Sequence, residues 1–140
     1  MGELRKIVQG TLLDNEPMSN HTSYGIGGPA GAYITPKDRC DLAEILKFAN
    51  KYSIETHFVG SGSNLLVADS GIDGIVLTPA KALTQLEFND GHVIAESGVM
   101  LGRLVKECIK RNLTGVESMI GLSLIHISEP TRRTPISYAV

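Results

Sequence analysis

Three features that assign proteins to broad classes are missing from this sequence. There is no surplus of positive charge, because 13 Lys and Arg stand against 15 Asp and Glu, and this balance argues against a nucleic-acid partner. The two cysteines, Cys40 and Cys108, have no CxxC or His-rich spacing. They predict neither a disulfide scaffold nor a structural zinc site, and they favour a reducing, cytoplasmic setting. No apolar run approaches the roughly 18 to 20 residues of a membrane-spanning helix.

What remains is a chain of 140 residues, 42% hydrophobic and 20% charged, which is enough for one ordinary core. Apolar residues at helical spacing predict helices over 38–52 and 101–111, with Cys108 on the buried face of the second. Short apolar runs predict strands over 32–35, 56–59, 74–78, 83–88 and 92–96. The turn sequence Asn-Asp-Gly at 89–91 predicts that the last two strands form an antiparallel hairpin. Together with a strand-helix-strand unit before it, this pattern predicts a mixed α/β fold.

A glycine-rich loop directly after a predicted strand is the strongest candidate for chemistry. It reads Gly60-Ser61-Gly62-Ser63-Asn64-Leu65. Its glycines let the main chain approach a ligand closely, so that successive N–H groups can converge on an anion such as a pyrophosphate. The two serine hydroxyls and the asparagine amide add further donors. The loop has neither the Walker nor the Rossmann spacing, and its pattern alone is equally compatible with an ordinary turn.

A second glycine-rich stretch has the formal spacing G-x-G-x-x-A. It reads Tyr24-Gly25-Ile26-Gly27-Gly28-Pro29-Ala30. The residues before it are polar rather than a buried strand, and no helical pattern follows it. Composition therefore predicts a surface turn.

Three segments taken together, 20–30, 60–67 and 115–121, closely resemble the UDP-N-acetylenolpyruvoylglucosamine reductase family. They read NHTSYGIGGPA, GSGSNLLV and GVESMIG. The resemblance covers about residues 4–121, the N-terminal part of a family chain that is more than twice as long. It implies an incomplete FAD-binding domain of the vanillyl-alcohol oxidase or PCMH type, with residues 1–70 in a first subdomain and 71–121 beginning a second.

The resemblance also implies which residues contact the cofactor. The loop 60–65 corresponds to the family's pyrophosphate cradle, and Tyr24 and Gly25 would line the same nucleotide from the opposite side. Gly98 corresponds to a close backbone approach near the flavin, and Gly121 to the start of the loop that closes over it. The loop contains no histidine, so we expect FAD to bind non-covalently.

The family uses NADPH to reduce UDP-N-acetylglucosamine-enolpyruvate to UDP-N-acetylmuramate in bacterial peptidoglycan synthesis. The resemblance accordingly implies a cytoplasmic monomer with no membrane or nucleic-acid partner. The family's catalytic arginine, serine and carboxylate lie beyond Gly121, where the resemblance ends. We therefore assign no catalytic residue, expect the chain alone to be inactive, and interpret residues 122–140 as a foreign tail. Two alternatives are another FAD-linked oxidase or dehydrogenase of the same fold, and a non-catalytic FAD-binding remnant.

Overall fold

A computed structural model describes residues 2–89 and 92–116 of the chain. These residues form two compact units, the first comprising Met1–Gln85 and Glu96–Gly98 and the second the remaining described residues. The elements of the first unit are α1 (Leu4–Ile7), β1 (Thr11–Pro17), a 3-10 turn (Met18–His21), β2 (Pro29–Thr35), α2 (Arg39–Lys51), β3 (Thr56–Phe58) and β4 (Ile72–Leu77). Those of the second are β5 (Leu86–Asn89), β6 (His92–Ala95) and α3 (Leu101–Lys110).

The first unit is built on a four-stranded mixed sheet with the order β1-β2-β4-β3. β1 runs antiparallel to β2, whereas β2 and β3 are both parallel to β4, which lies between them. The strand-helix-strand unit predicted from the sequence is thus confirmed as β2-α2-β3, with β4 inserted in the middle. The mixed α/β fold class is confirmed with it.

Helix α2 begins where the sequence predicts because Asp38 is its N-cap, with its side chain accepting a hydrogen bond from the Asp41 N–H. Its apolar residues at i, i+3 and i+7 then face the sheet. This face, α1 and the facing strand residues form the first core, which consists of Leu4, Ala32, Ile34, Leu42, Ile45, Ala49, Ile75 and Leu77. Both helices therefore cover the same face of the sheet.

The opposite face of the sheet carries a second core. Ala30 pairs with Ile72 and Ala32 with Ile75, so the register between β2 and β4 shifts at this point. Ala30 packs in the second core with Tyr33, although the two are an odd number of positions apart. The second core consists of Met18, Ala30, Tyr33, Val59, Val67 and Val76.

The second unit contains the predicted antiparallel hairpin, in which Leu86 pairs with Ala95 and Asn89 with His92. The turn residues Asp90 and Gly91 lie outside the described residues. The predicted helix is present as α3, and Cys108 is buried on it as expected. The Arg111 guanidinium lies over the Phe88 ring, 4.0 Å from its centroid, which ties the hairpin to the residue after the helix.

Three elements were not predicted, namely α1, β1 and the 3-10 turn, and three of the predicted strands begin at other residues. β1 was missed because Asp, Asn, Glu and Pro are depleted in strands, and α1 because it is only four residues long with one buried residue. β2 begins at Pro29 and β4 at Ile72, ahead of the predicted starts at 32 and 74. β5 begins at Leu86 rather than 83, since the Leu83 N–H donates to the Pro79 carbonyl in a turn.

Strand β4 lies beyond the predicted subdomain boundary at residue 70, yet it is a central strand of the first unit's sheet. The two compact units describe how the residues of this chain pack together. The assignment of 1–70 and 71–121 to two FAD-binding subdomains is a separate statement and stays a prediction. Gly121 and the predicted tail 122–140 lie outside the described residues.

Candidate functional site

The glycine-rich loop 60–65 leaves the sheet at the end of β3 and crosses the face opposite the helices. The preceding residue, Val59, is buried and donates its N–H to the Leu77 carbonyl at 2.9 Å. After the loop, Leu65 and Val67 pack into the second core, while Leu66 between them is 71% exposed. Hydrophobic anchors at both ends thus hold the loop, and no helix follows it, as its sequence indicated.

The middle of the loop rests on the segment that follows the 3-10 turn. Gly62 is buried and has a φ of +67°. A Cβ atom at this position would lie 1.8 Å from the His21 carbonyl oxygen. The Ser23 N–H donates to the Gly62 carbonyl at 3.1 Å. Both the left-handed conformation and this close approach require glycine here.

The second glycine-rich stretch lies directly against the first, although the two are about 35 positions apart in the sequence. The Gly28 N–H donates to the Ala68 carbonyl at 2.9 Å, just after the loop. The stretch itself is a turn, closed by a hydrogen bond of 3.1 Å from the Gly25 N–H to the Thr22 carbonyl. Tyr24 at its tip is 55% exposed. The predicted surface turn is confirmed, and the fold brings both motifs together.

The N–H groups of the loop are available to a ligand. Across the described part of the chain, the backbone N–H groups of residues 60–64 donate to no protein acceptor. The Ser61 and Ser63 hydroxyls are exposed and hydrogen-bond each other at 3.2 Å. A Cβ at Gly60 would have no neighbouring atom within 4 Å, so the space beside that residue is open. A set of neutral donors of this kind, exposed at every residue from 60 to 64 except Gly62, is suited to an anion.

The other predicted site residues are placed differently. Asn64 is exposed beside the serines. Gly98 lies against the segment 79–83, where an added Cβ would come within 2.3 Å of the Pro79 carbonyl oxygen. Its N–H donates to the Leu83 carbonyl at 2.8 Å and is therefore already used within the protein. Its role near a flavin stays a prediction, as does that of Gly121.

Sequence reasoning missed a polar cluster beside the loop, formed by Glu16, Asn20, His21 and Tyr33. Hydrogen bonds from Asn20 and His21 lower the pKa of Glu16 below its usual value. Burial raises the pKa of Tyr33, partly offset by a hydrogen bond with Thr78. Glu16 and His21 are five positions apart, and only His21 lies in one of the segments that carry the resemblance. Only the packing of the 3-10 turn on the sheet brings them together.

A family model described as an FAD-binding domain matches residues 30–122, well over half of the sequence. The chain belongs to this FAD-binding domain family. The matched range contains the loop 60–65, β2 to β4 and α3. The expected cofactor, FAD, is thereby confirmed.

Curated relatives carry the name UDP-N-acetylenolpyruvoylglucosamine reductase. The Bacillus licheniformis protein is 37% identical over 120 residues, which cover 86% of this chain and 40% of the relative. The Bacillus subtilis protein is 36% identical over 120 residues, with the same shares of the two chains. The resemblance stated from the motifs is confirmed. The chain spans about two fifths of the length of these relatives.

Solved structures agree on the fold. The UDP-N-acetylenolpyruvylglucosamine reductase of Thermus caldophilus is 25% identical, with a TM-score of 0.55 over 81% of this chain and 38% of that one. p-Cresol methylhydroxylase is 18% identical, with a TM-score of 0.54 over 81% of this chain and 26% of that one. The second likeness shows the fold alone, and the fold is the FAD-binding domain of the PCMH type.

The loop fits the diphosphate of FAD, because its main-chain amides donate to no acceptor among the described residues, its serine hydroxyls are exposed and the space at Gly60 is open. Within residues 2–89 and 92–116, no three His, Cys, Asp or Glu side chains are grouped as a metal site requires. The helices of the same residues are all too short or too polar to cross a bilayer. Cys40 is exposed and Cys108 is buried, and the two do not form a disulfide with each other.

Proposed function

We propose that the loop 60–65 holds the diphosphate of FAD through its main-chain N–H groups, with the turn at Tyr24 and Gly25 lining the same nucleotide. The observation that carries this proposal is the contrast within the loop. Its backbone is fixed at Gly62 and at both hydrophobic ends, whereas the N–H groups of residues 60–64 donate to no acceptor in the described part of the chain. Donors held in place before the ligand arrives lose little entropy on binding.

FAD binds non-covalently in this proposal and supplies hydride-transfer chemistry when bound. In the complete protein, that chemistry is the NADPH-dependent reduction of UDP-N-acetylglucosamine-enolpyruvate to UDP-N-acetylmuramate for peptidoglycan synthesis. The protein acts as a cytoplasmic monomer. The share of the described residues is to bind and orient the nucleotide end of the cofactor. The 140 residues alone bind FAD without turnover, since the family's catalytic residues correspond to no position before Gly121.

The first test is retention of FAD by the purified chain. After incubation with FAD and gel filtration, we expect visible flavin absorbance to elute with the protein, and acid denaturation to release all of it. NADPH consumption should not rise on addition of the enolpyruvyl nucleotide. A colourless protein would contradict the proposal. Oxygen consumption that ignores the enolpyruvyl nucleotide would favour the alternative of a different flavin oxidase.

A pair of glycine substitutions localises the binding. Gly60→Ala places a methyl group in the open space beside the loop and creates no clash in the protein. Gly102→Ala does the same on α3, where an added Cβ also meets nothing within 4 Å. We expect Gly60→Ala to weaken FAD binding at least about tenfold, because a diphosphate must approach the backbone closely. Gly102→Ala should leave the affinity unchanged, and equal affinities in the two variants would contradict the assignment of this loop.

A further inference from the structure

Near the end of β1, one residue before Pro17, lies a half-buried glutamate that accepts hydrogen bonds from two neighbours. One oxygen of Glu16, Oε1, accepts a hydrogen bond from Asn20 Nδ2 at 3.1 Å and another from His21 Nε2 at 3.0 Å. Its side chain is 19% exposed and that of His21 is 22% exposed. Hydrogen bonds to an ionised acceptor are among the stronger ones in proteins. Glu16 thereby ties the end of the 3-10 turn to the edge strand.

The His21 ring is also held from the sheet side. It stacks on the ring of Tyr33, with the centroids 3.8 Å apart and the planes inclined by 15°. Tyr33 is buried in β2 and belongs to the second core. The imidazole is thus fixed by a carboxylate at one nitrogen and by an aromatic face. Fixing the ring also fixes the backbone to which it is attached.

That backbone is the surface on which the nucleotide loop rests. The His21 carbonyl oxygen occupies the space next to Gly62 where a side chain would otherwise be. The Ser23 N–H donates to the Gly62 carbonyl. A shift of the segment 21–23 would therefore move the middle of the loop, which rests on this segment between its two hydrophobic ends.

We propose that Glu16 is a positioning residue for FAD binding: by holding Asn20 and His21, its carboxylate sets the support of the glycine loop and thus the direction of the loop N–H groups. The proposal rests on the function proposed above. It assigns no contact between Glu16 and the cofactor. The proposed positioning role requires a hydrogen-bond acceptor at position 16 and does not require a negative charge there.

Exchange of the Ser23 amide hydrogen in FAD-free protein tests the support directly, since this amide is bonded to Gly62 itself. In Glu16→Ala we expect its exchange to accelerate at least about tenfold, because two hydrogen bonds to a charged acceptor are lost. Glu16→Gln retains an oxygen acceptor and should restore exchange to within about threefold of the wild type. The Ile75 amide, bonded to the Glu55 carbonyl inside the sheet, reports whether the fold as a whole is intact.

Asp14→Ala is the matched control, because Asp14 is an acidic residue of the same strand whose ion pair is with Arg5. It should change neither Ser23 exchange nor FAD affinity. Glu16→Ala should weaken FAD binding about tenfold or more, with Glu16→Gln close to the wild type. Should Glu16→Ala not fold, Asn20→Ala removes one of the two bonds at an exposed position, and we expect about threefold faster Ser23 exchange.

The outcomes separate this proposal from the function on which it rests. Unchanged Ser23 exchange and FAD affinity in Glu16→Ala, or in Asn20→Ala if the former does not fold, would overturn the positioning role while FAD binding stands. Ser23 exchange and FAD affinity that are impaired as strongly in Glu16→Gln as in Glu16→Ala would also overturn the positioning role. If wild-type protein does not bind FAD, the proposed function fails, and the Ser23 measurement still decides whether Glu16 positions the loop.

Discussion

Replacement of Asp41 by alanine is expected to destabilise the first unit more than any other single loss of a polar side chain described above. Asp41 is 1% exposed, near the start of α2. Its carboxylate accepts three backbone hydrogen bonds, from Gln9 at 3.0 Å, Gly10 at 2.9 Å and Lys37 at 2.8 Å. It thereby joins the chain entering β1 and the chain leaving β2 to the same turn of helix.

The magnitude follows from the number of donors left without a partner. A hydrogen bond to a charged group contributes about 1.5 to 3 kcal/mol, and Asp41→Ala loses three of them, so it should cost about 3 kcal/mol or more. A domain of this size has about 5 to 15 kcal/mol of total stability, so much of it would be lost. Asp41→Asn retains one oxygen acceptor and should fall between the alanine variant and the wild type.

Urea unfolding followed by far-UV circular dichroism measures these differences. Glu44→Ala is the control, since Glu44 is an exposed acidic residue of the same helix whose ion pair is with Lys47. It should change the free energy of unfolding by less than about 0.5 kcal/mol. A loss below about 1 kcal/mol in Asp41→Ala would refute the reasoning, because three hydrogen bonds to a buried, charged acceptor should together contribute more than that.

Two further predictions concern the loop and α3. Gly62→Ala should destabilise the fold by more than about 2 kcal/mol in the same urea assay, because alanine is strained at φ +67° and its Cβ would meet backbone atoms. A free energy of unfolding equal to that of Gly60→Ala would contradict this prediction. Hydrogen bonds from Lys110 and Arg111 lower the pKa of Glu107 from 4.5 to about 2. A carboxyl whose pKa is lower in the folded than in the unfolded state stabilises the fold at pH values above its unfolded pKa. This stabilisation is lost as the pH falls towards the folded-state pKa. Wild type should therefore be more stable than Glu107→Gln at neutral pH, with the difference shrinking below about pH 4.5 and absent near pH 2. A difference that persists at pH 2 would exclude this origin.

The elements predicted correctly are those with a local signal. Helices α2 and α3 each carry an apolar stripe at helical spacing, and Asp38 marks the start of the first. The hairpin β5-β6 has a two-residue turn sequence between its strands. β1 has no such signal, because its pairing with β2 rather than its composition makes it a strand. The register shift between Ala30 and Ala32 likewise depends on the neighbouring strand, and for this reason the start of β2 was misplaced.

The candidate site, like the fold, could be predicted from the sequence only in part. Each glycine motif was visible in the sequence, yet only the fold shows that Gly28 hydrogen-bonds the end of the loop and that Gly62 closes on His21. The support formed by Glu16, His21 and Tyr33 was not predicted, because nothing in their irregular spacing links His21, within the segment 20–30, to the other two residues. The same holds for Asp41, whose three donors come from two separate segments. Contacts between distant segments are what a single sequence does not reveal.

The central claim is that the free N–H groups of residues 60–64 bind the diphosphate of the cofactor. The most direct measurement is a titration of isotope-labelled protein with FAD, followed residue by residue through the backbone amide resonances. Our account predicts that the largest shifts occur at residues 60–64, that ADP reproduces them through the shared diphosphate, and that Gly60→Ala requires more FAD to produce them. FAD binding that leaves these amides unshifted and perturbs another part of the chain would contradict it.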